Sequence, residues 1–194
     1  MKKAILFAFL SIMQFTSAQN AQQQVEKQYV HYSQLMIDKN YAAALEYMNP
    51  EFFKAFPKTQ MLAILQETMN DSTMEIVPEL PIFTSFDDLK VIDNKRYVRF
   101  VIKAPLKMKL MGIEKSESEE SNYLAHGLQM SLFESMFGEG NVLYDEVTGY
   151  YKTISSKNVI ASSDENSADW KFVIIESDNI KPILANFIPA ELLY

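Results

Sequence analysis

A run of alternating residues between Val98 and Leu110 constrains the fold of this chain more than any other feature. Most odd positions in the run are polar or charged, and every even position is apolar: Val98, Phe100, Ile102, Ala104, Leu106, Met108 and Leu110. Successive side chains of a strand point to opposite faces, so the run predicts one long strand with a buried face and a wet face. Pro105 has no N–H to donate to a neighbouring strand, and we therefore expect a bend or bulge at that position.

Shorter segments supply partners for this strand. Residues 89–92 and the polar turn at 93–95 predict a hairpin that leads into it. Further strands are predicted around 142–144, 149–154, 158–162 and 170–175, and a short helix or coil is predicted at 182–193.

Helical spacing dominates the first part of the chain. The apolar stripe of the first helix consists of Val25, Tyr29, Tyr32 and Met36. A turn at 38–40 separates it from a second helix over 41–48, which Pro50 ends because the residue before a proline is pushed out of helical geometry. A short turn at 51–56 and a third helix from Pro57 to about Asn70 follow.

Residues 122–137 return to helical spacing, with Leu124, Leu128, Leu132 and Met136 four apart. Gly138 ends this helix. Its apolar segment 130–137 either packs in the core or forms a pocket lid or a docking helix. The preceding serine–glutamate run at 114–121 contains no apolar residue and predicts a mobile loop. Helices followed by antiparallel strands indicate a single α+β domain over 19–194.

Residues 1–18 have the three parts of a cleavable secretory signal peptide. Lys2 and Lys3 precede an apolar stretch, and the small residues Thr16-Ser17-Ala18 end it. The apolar stretch is shorter than the roughly 20 residues that a membrane span needs. We therefore expect a periplasmic or secreted product without a membrane anchor; the alternative is an uncleaved anchor.

Composition excludes several classes of function. The chain has no cysteine, so it has neither disulfides nor thiolate metal sites. Its formal net charge of −7 repels nucleic acid and anionic lipid. A phosphate-binding loop, a hydrolase nucleophile elbow and a zinc-protease motif are all missing from the sequence, and we expect no cofactor.

Two segments resemble a known superfamily. Asp38-Lys39-Asn40-Tyr41-Ala42-Ala43-Ala44-Leu45, followed by Asn49-Pro50-Glu51-Phe52-Phe53, is similar to the opening of exported bacterial nuclear-transport-factor-2-like (cystatin-like) domains. The segment Trp170-Lys171-Phe172 resembles their closing strand. The resemblance implies helices packed on a curved antiparallel sheet, a cone with an apolar pocket, and a helical insertion near 122–137. The superfamily hosts isomerases, dehydratases, transport factors and binding modules, so fold alone does not settle function.

Two histidines and one basic row are the candidate site residues. His31 and His126 each lie on a predicted helix, where a histidine is either a pocket residue or a structural or solvated one. The basic row on the wet face of the long strand consists of Arg99, Lys103, Lys107 and Lys109. It either receives an anionic ligand or partner, or is a solvated sheet face neutralised by Glu114, Glu117, Glu119 and Glu120.

The oxygen-rich segment 164–169 suggests calcium, but it lacks the glycine and the distant glutamate of an EF-hand loop. We expect a solvated loop and no metal site there.

The sequence therefore favours an exported, non-enzymatic module that binds a small apolar ligand or a protein partner, with a homodimer left open. One alternative is a small isomerase or dehydratase that uses a histidine or a buried carboxylate. Another is a structural subunit of an envelope complex.

Overall fold

The computed structural model describes the backbone of residues 2–112 and 118–194, and within these ranges the side chains from residue 19 onwards. Six helices lie in this part of the chain: α1 (Lys2–Ile37), α2 (Tyr41–Leu45), α3 (Phe52–Ala55), α4 (Lys58–Met69), α5 (Glu119–Phe137) and α6 (Lys181–Leu184). Seven strands accompany them: β1 (Met74–Pro78), β2 (Ile82–Phe86), β3 (Lys90–Ile92), β4 (Lys95–Leu110), β5 (Val142–Asp145), β6 (Tyr150–Asp164) and β7 (Lys171–Ile175). Short 3-10 helices occupy Asp178–Ile180 and Ala190–Leu192.

The long strands β4 and β6 form the centre of one antiparallel sheet. They pair without interruption from Lys95 opposite Asp164 to Met108 opposite Tyr151. Along its other edge, β4 pairs in turn with β1, β2 and β3, and the outer edge of β6 pairs with β5 and β7. The predicted α+β class and the long strand with its hairpin partner are confirmed.

The bulge expected at Pro105 is not found between β4 and β6, because the register runs unbroken through Pro105 and Ile154. The Pro105 carbonyl accepts from the Glu79 amide, which follows β1. In an antiparallel strand the N–H and C=O of one residue face the same neighbour. The edge on which Pro105 lacks an N–H therefore faces the gap between β1 and β2, and no hydrogen bond between strands is lost. The irregularity lies in β2 instead, between Phe83 and Ser85.

The structure differs from the sequence predictions in four other ways. The segments 149–154 and 158–162 belong to one strand, β6, and the strands β1 and β2 were not predicted at all. The second helix ends at Leu45 rather than at residue 48. Residues 114–117 of the predicted mobile loop lie outside the described residues, whereas Ser118 caps α5 and 119–121 form its first turn.

The sheet is covered on both faces. The even face of β4 packs against α1 in the first core, which contains Ala21, Val25, Tyr29, Val98, Phe100, Ile102, Val159, Ala161, Trp170 and Phe172. On the opposite face, Tyr97, Ile160 and Val173 pack against the C-terminal segment through Leu184, Ile188, Leu192 and Leu193. The far end of the even face carries a third core of Met108, Phe133, Val142 and Tyr151. The helix α5 therefore covers the part of the sheet that α1 leaves open.

Among the residues described, no helix combines the length and the apolar character that crossing a membrane requires.

Candidate functional site

The inner face of α5 changes character along the helix. Toward its C-terminal end, Phe133 is fully buried, and its ring centroid lies 4.8 Å from that of Tyr151 on β6. Two turns earlier, the same inner face carries His126, and Gln129 follows it within one turn. These polar side chains do not seal the helix against the sheet as Phe133 does. The result is a cleft at the N-terminal half of α5.

We call this space the His126 cleft, and its volume is about 470 Å³. Its lining comes from α5, from the ends of β4, β5 and β6, and from the β5–β6 turn. The lining residues are Lys109, Leu110, Asn122, Ala125, His126, Gln129, Tyr144, Glu146, Val147, Thr148, Gly149 and Tyr151. Small-molecule sites commonly enclose roughly 300–1,000 Å³, so the cleft is large enough for one small organic ligand.

A hydrogen-bonded chain of three side chains lies in the wall of the cleft. The Tyr151 hydroxyl donates to Gln129 Oε1 at 3.0 Å and lies 2.7 Å from His126 Nδ1. Because its single proton goes to Gln129, the hydroxyl oxygen accepts from Nδ1–H, which leaves the Nε2 lone pair of a neutral imidazole unused. Burial, with a smaller effect of Tyr144, raises the pKa of Tyr151 to about 12. Tyr151 therefore remains a neutral phenol that orients the imidazole.

Aromatic packing holds the same imidazole from the other side. The centroid of the His126 ring lies 4.3 Å from that of Tyr144 on β5. Tyr144 is in turn 4.8 Å from Tyr151. His126 is thus positioned by aromatic side chains of two strands, β5 and β6.

Lys109 brings a positive charge to the cleft beside the β5–β6 turn. Its Nζ lies 3.4 Å from the Thr148 carbonyl oxygen and 5.5 Å from the centre of the Tyr150 ring. No ion pair joins Lys109 to a described acidic residue. An ammonium group has three N–H donors, so Lys109 retains donors for a ligand.

The β5–β6 turn beside Lys109 is built around Asp145. Its Oδ1 accepts from the Val147 and Thr148 amides at 3.0 and 3.2 Å, and its Oδ2 lies 2.6 Å from Lys152 Nζ. The hydrogen bond from Lys152, followed by that from Thr148, lowers the pKa of Asp145 to about 2. Because this pKa lies below its usual value, the carboxylate stabilises the turn at neutral pH and loses that effect only as the pH falls towards 2.

The remaining members of the basic row lie outside the cleft and have other roles. Lys107 Nζ pairs with Glu79 Oε1 at 2.5 Å, and Arg99 Nε lies 3.0 Å from Asp87 Oδ2. The second contact is an ion pair without an aligned hydrogen bond, since the Arg99 N–H has no acceptor in line. Lys103 is exposed, and none of the described side chains pairs with it. The carboxylates that directly follow β1 and β2 therefore neutralise two of the four cations.

Among the described residues, the acidic partners of this row are not the ones expected from the sequence. Glu114 and Glu117 lie outside the described residues, and Glu119 and Glu120 belong to the first turn of α5. Asp87 and Glu79 take their place, because antiparallel pairing brings the ends of β1 and β2 alongside β4.

His31 is not brought near His126. It is an exposed residue of α1, and its ring lies 5.6 Å from that of Tyr47 in an edge-on contact. His31 is therefore a surface residue, and His126 is the histidine that lines a cleft.

Hydrogen bonds within the segment and from Arg96 hold residues 164–169; the Ser167 amide, for example, donates to the Asp164 carbonyl at 3.0 Å. Arg96 donates to the Ser167 carbonyl, and its guanidinium lies 4.9 Å from the centre of the Trp170 ring. Within the described ranges, no three histidine, aspartate or glutamate residues converge as metal ligands would.

Sequence reasoning identified two residues of the cleft and missed the rest. His126 and Lys109 were candidates on separate grounds, and the structure brings them to one space. Tyr151, Gln129 and Tyr144 carried no signal, because their roles arise from contacts between α5 and strands distant in sequence. The alternation of β6 placed Tyr151 on a strand but did not show what lies above it.

No protein-family model matches the chain, and no curated protein matches it either.

Proposed function

We propose that this protein is an exported binding module that takes a small organic acid into the His126 cleft. The observation that carries the proposal is the convergence of Lys109, which has no acidic partner among the described residues, and the His126–Tyr151–Gln129 chain on one space of about 470 Å³. Binding sites of this kind are mostly apolar, with a few polar groups that fix orientation.

The lining sets the chemistry of the ligand. Lys109 supplies a cation for a carboxylate or a similar anionic group. Leu110 and Tyr144 provide apolar and aromatic surface for the body of the ligand. His126 and Gln129 supply hydrogen-bonding atoms for the other polar groups of the ligand. The ligand expected is therefore more polar than the small apolar one expected from the sequence.

We favour binding over catalysis because of the titratable groups that line the cleft. An isomerase or dehydratase needs an acid or base whose pKa is adjusted by burial. In the described lining of the cleft, the carboxylate is that of Glu146, which is exposed. Tyr151 is held as a neutral phenol by its raised pKa. The oriented imidazole of His126 is the group through which catalysis would occur.

We further propose that the domain is a divergent nuclear-transport-factor-2-like fold. Initial helices followed by long antiparallel strands support this assignment. The space between α1 and the sheet, however, is filled with rings: Tyr29 lies 5.2 Å from Phe100 and 5.0 Å from Phe172. The ligand site in this proposal therefore lies under α5, the inserted helix.

The cleft is tested with benzoate and with its neutral analogue benzamide by titration calorimetry. We expect benzoate to bind the wild type and Lys109→Gln to weaken binding by about tenfold, which corresponds to roughly 1.4 kcal/mol. The matched control is Lys103→Gln, a cation on the same strand but outside the cleft, which should bind as the wild type does. Equal weakening by both substitutions, or equal affinity for benzamide, would contradict an ionic site at Lys109.

The same protein distinguishes binding from catalysis. Compounds that copurify with the wild type are identified by mass spectrometry and incubated with wild type, His126→Ala and His31→Ala. A binding module leaves them unchanged. Turnover that collapses by about 10²–10⁴ in His126→Ala alone would replace the binding proposal with the enzyme alternative.

Export is tested separately. We expect the secreted product to begin at Gln19, because the small residues that end the signal segment close with Ala18. This start is compatible with the fold, since the described core residues of α1 begin at Ala21. The intact mass of the protein from the extracytoplasmic fraction measures it. A mass that retains residues 1–18 would overturn the export proposal.

A further inference from the structure

The outer face of α5 carries large apolar side chains that none of the described residues covers. We define the leucine row as Leu124, Leu128, Leu132 and Met136, whose exposed fractions are 61%, 75%, 48% and 57%. Tyr123 stands beside the row and is 76% exposed. Of the segment 130–137, Phe133 is buried in the core with Met130 and Phe137 packed against it, whereas Leu132 and Met136 face outward. A contiguous apolar row, unlike a single exposed leucine, indicates an interaction surface.

A second row of small residues runs parallel to the leucine row. Gly127, Ser131 and Ser135 lie three residues after its first three members, and all are exposed. A glycine inside a helix destabilises it relative to alanine. A Cβ at Gly127 would have no neighbour within 4 Å, so the packing of the described residues gives no reason for a glycine there. A second helix lying close against this position would give one.

We propose that a second copy of this chain packs its α5 on the leucine row across a two-fold axis. Rows at four-residue spacing form ridges, and such ridges on two helices interlock at a crossing angle of about −50°. Because ridge and small-residue groove lie on the same helix face, the face is complementary to itself, as a two-fold interface requires. The closest approach falls near Gly127 and Ser131, where a side chain would obstruct it.

The exposed area agrees with a weak dimer. The leucine row and Tyr123 present on the order of 600 Å² per copy, or about 1,200 Å² for a pair, the lower limit of specific interfaces. We therefore expect a weak, reversible association.

Charge also favours this occupant over a lipid surface. The helix α5 contains no lysine or arginine, whereas helices that lie on membranes are usually rich in both. The leucine row itself is uncharged, so a dimer brings no carboxylates together at its centre. Two copies with a net charge of −7 repel each other at long range. Salt screens this repulsion and should strengthen the dimer.

Sedimentation equilibrium over a concentration series tests the proposal. The wild type should show a monomer–dimer equilibrium that tightens with added salt. Leu128→Glu should weaken the dimer by roughly tenfold or more, because it places an unpaired charge in an apolar contact. The matched control is Leu143→Glu on β5: Leu143 is 70% exposed and follows the inward-facing Val142, so it points away from α5. The control should associate as the wild type does.

Two further variants locate the contact on α5. Gly127→Leu should dissociate the dimer while raising the unfolding temperature of the monomer, since leucine is the better helix former. The chain has no cysteine, so Ser131→Cys should give an oxidised, disulfide-linked dimer. The exposed control Ser72→Cys, outside α5, should remain monomeric under the same oxidation.

Four results would overturn the proposal. They are a wild type that stays monomeric up to the highest soluble concentration, an association that Leu143→Glu weakens as much as Leu128→Glu does, equal cross-linking of the two cysteine variants, and a Gly127→Leu variant that dimerises unchanged. A monomer that instead cosediments with phosphatidylcholine vesicles would assign the leucine row to a lipid surface.

Discussion

Replacing Phe100 with alanine should reduce the free energy of unfolding by about 3–5 kcal/mol. Phe100 is fully buried, and its ring lies 5.2 Å from Tyr29, 5.7 Å from Phe83 and 5.3 Å from Phe86. Truncation removes the contacts that Phe100 on β4 makes with α1 and β2. The neighbouring rings are held in place by those two elements and cannot collapse into the space left. Denaturant unfolding followed by far-UV circular dichroism measures the loss.

The matched control is Lys103→Ala on the same strand. Lys103 is exposed on the opposite face of β4, so its truncation should change the free energy of unfolding by no more than about 0.5 kcal/mol. Equal losses for the two variants would mean that the buried face of β4 is wrongly assigned.

Trp170→Ala should be equally damaging, at about 3–5 kcal/mol. Trp170 is fully buried, and its backbone amide donates to Gln28 Oε1 at 2.9 Å. Its indole N–H donates to Gln24 Oε1 at 3.3 Å, and the Arg96 guanidinium lies over the ring. The substitution therefore removes a core side chain and leaves the Gln24 acceptor unpaired, while the bond from the backbone amide to Gln28 remains.

Tyr194→Ala is the aromatic control, because Tyr194 is 78% exposed. Its truncation should stay within about 0.5 kcal/mol of the wild type. A Trp170→Ala variant that unfolds at the same denaturant concentration as Tyr194→Ala would show that α1 does not depend on this residue for its position.

Some elements were predictable because short-range patterns in the sequence are enough to specify them. Alternation alone assigned Phe100 and Lys103 to opposite faces of β4. The polar turn before it places Asp93 and Asn94 at positive φ values of 50° and 59°, a geometry that these two residue types tolerate and that tight hairpins use. The helix at 122–137 followed from its spacing and from the glycine after it.

Other elements depended on partners distant in sequence. The polar stretch around Ser155 and Ser156 resembles a turn, yet it continues β6 because β4 supplies hydrogen-bonding partners opposite it, from Lys103 to Ala104. The strands β1 and β2 are short, and prolines at 78 and 81 weaken their pattern. They form because the edge of β4 offers unpaired backbone groups along its length.

Periodicity and composition are enough to indicate which side chains of β4 are buried, where the main helices run, the absence of cysteine chemistry and the acidic charge. Which side of α5 faces the sheet, in contrast, depends on tertiary packing. Helical spacing shows that the leucine row is one stripe, but Phe133, buried against Tyr151, takes the inward position and turns that stripe outward. The same packing brings His126 to Tyr151 and into one cleft with Lys109. Such a cleft is not visible in the sequence, because it forms between segments that are far apart along the chain.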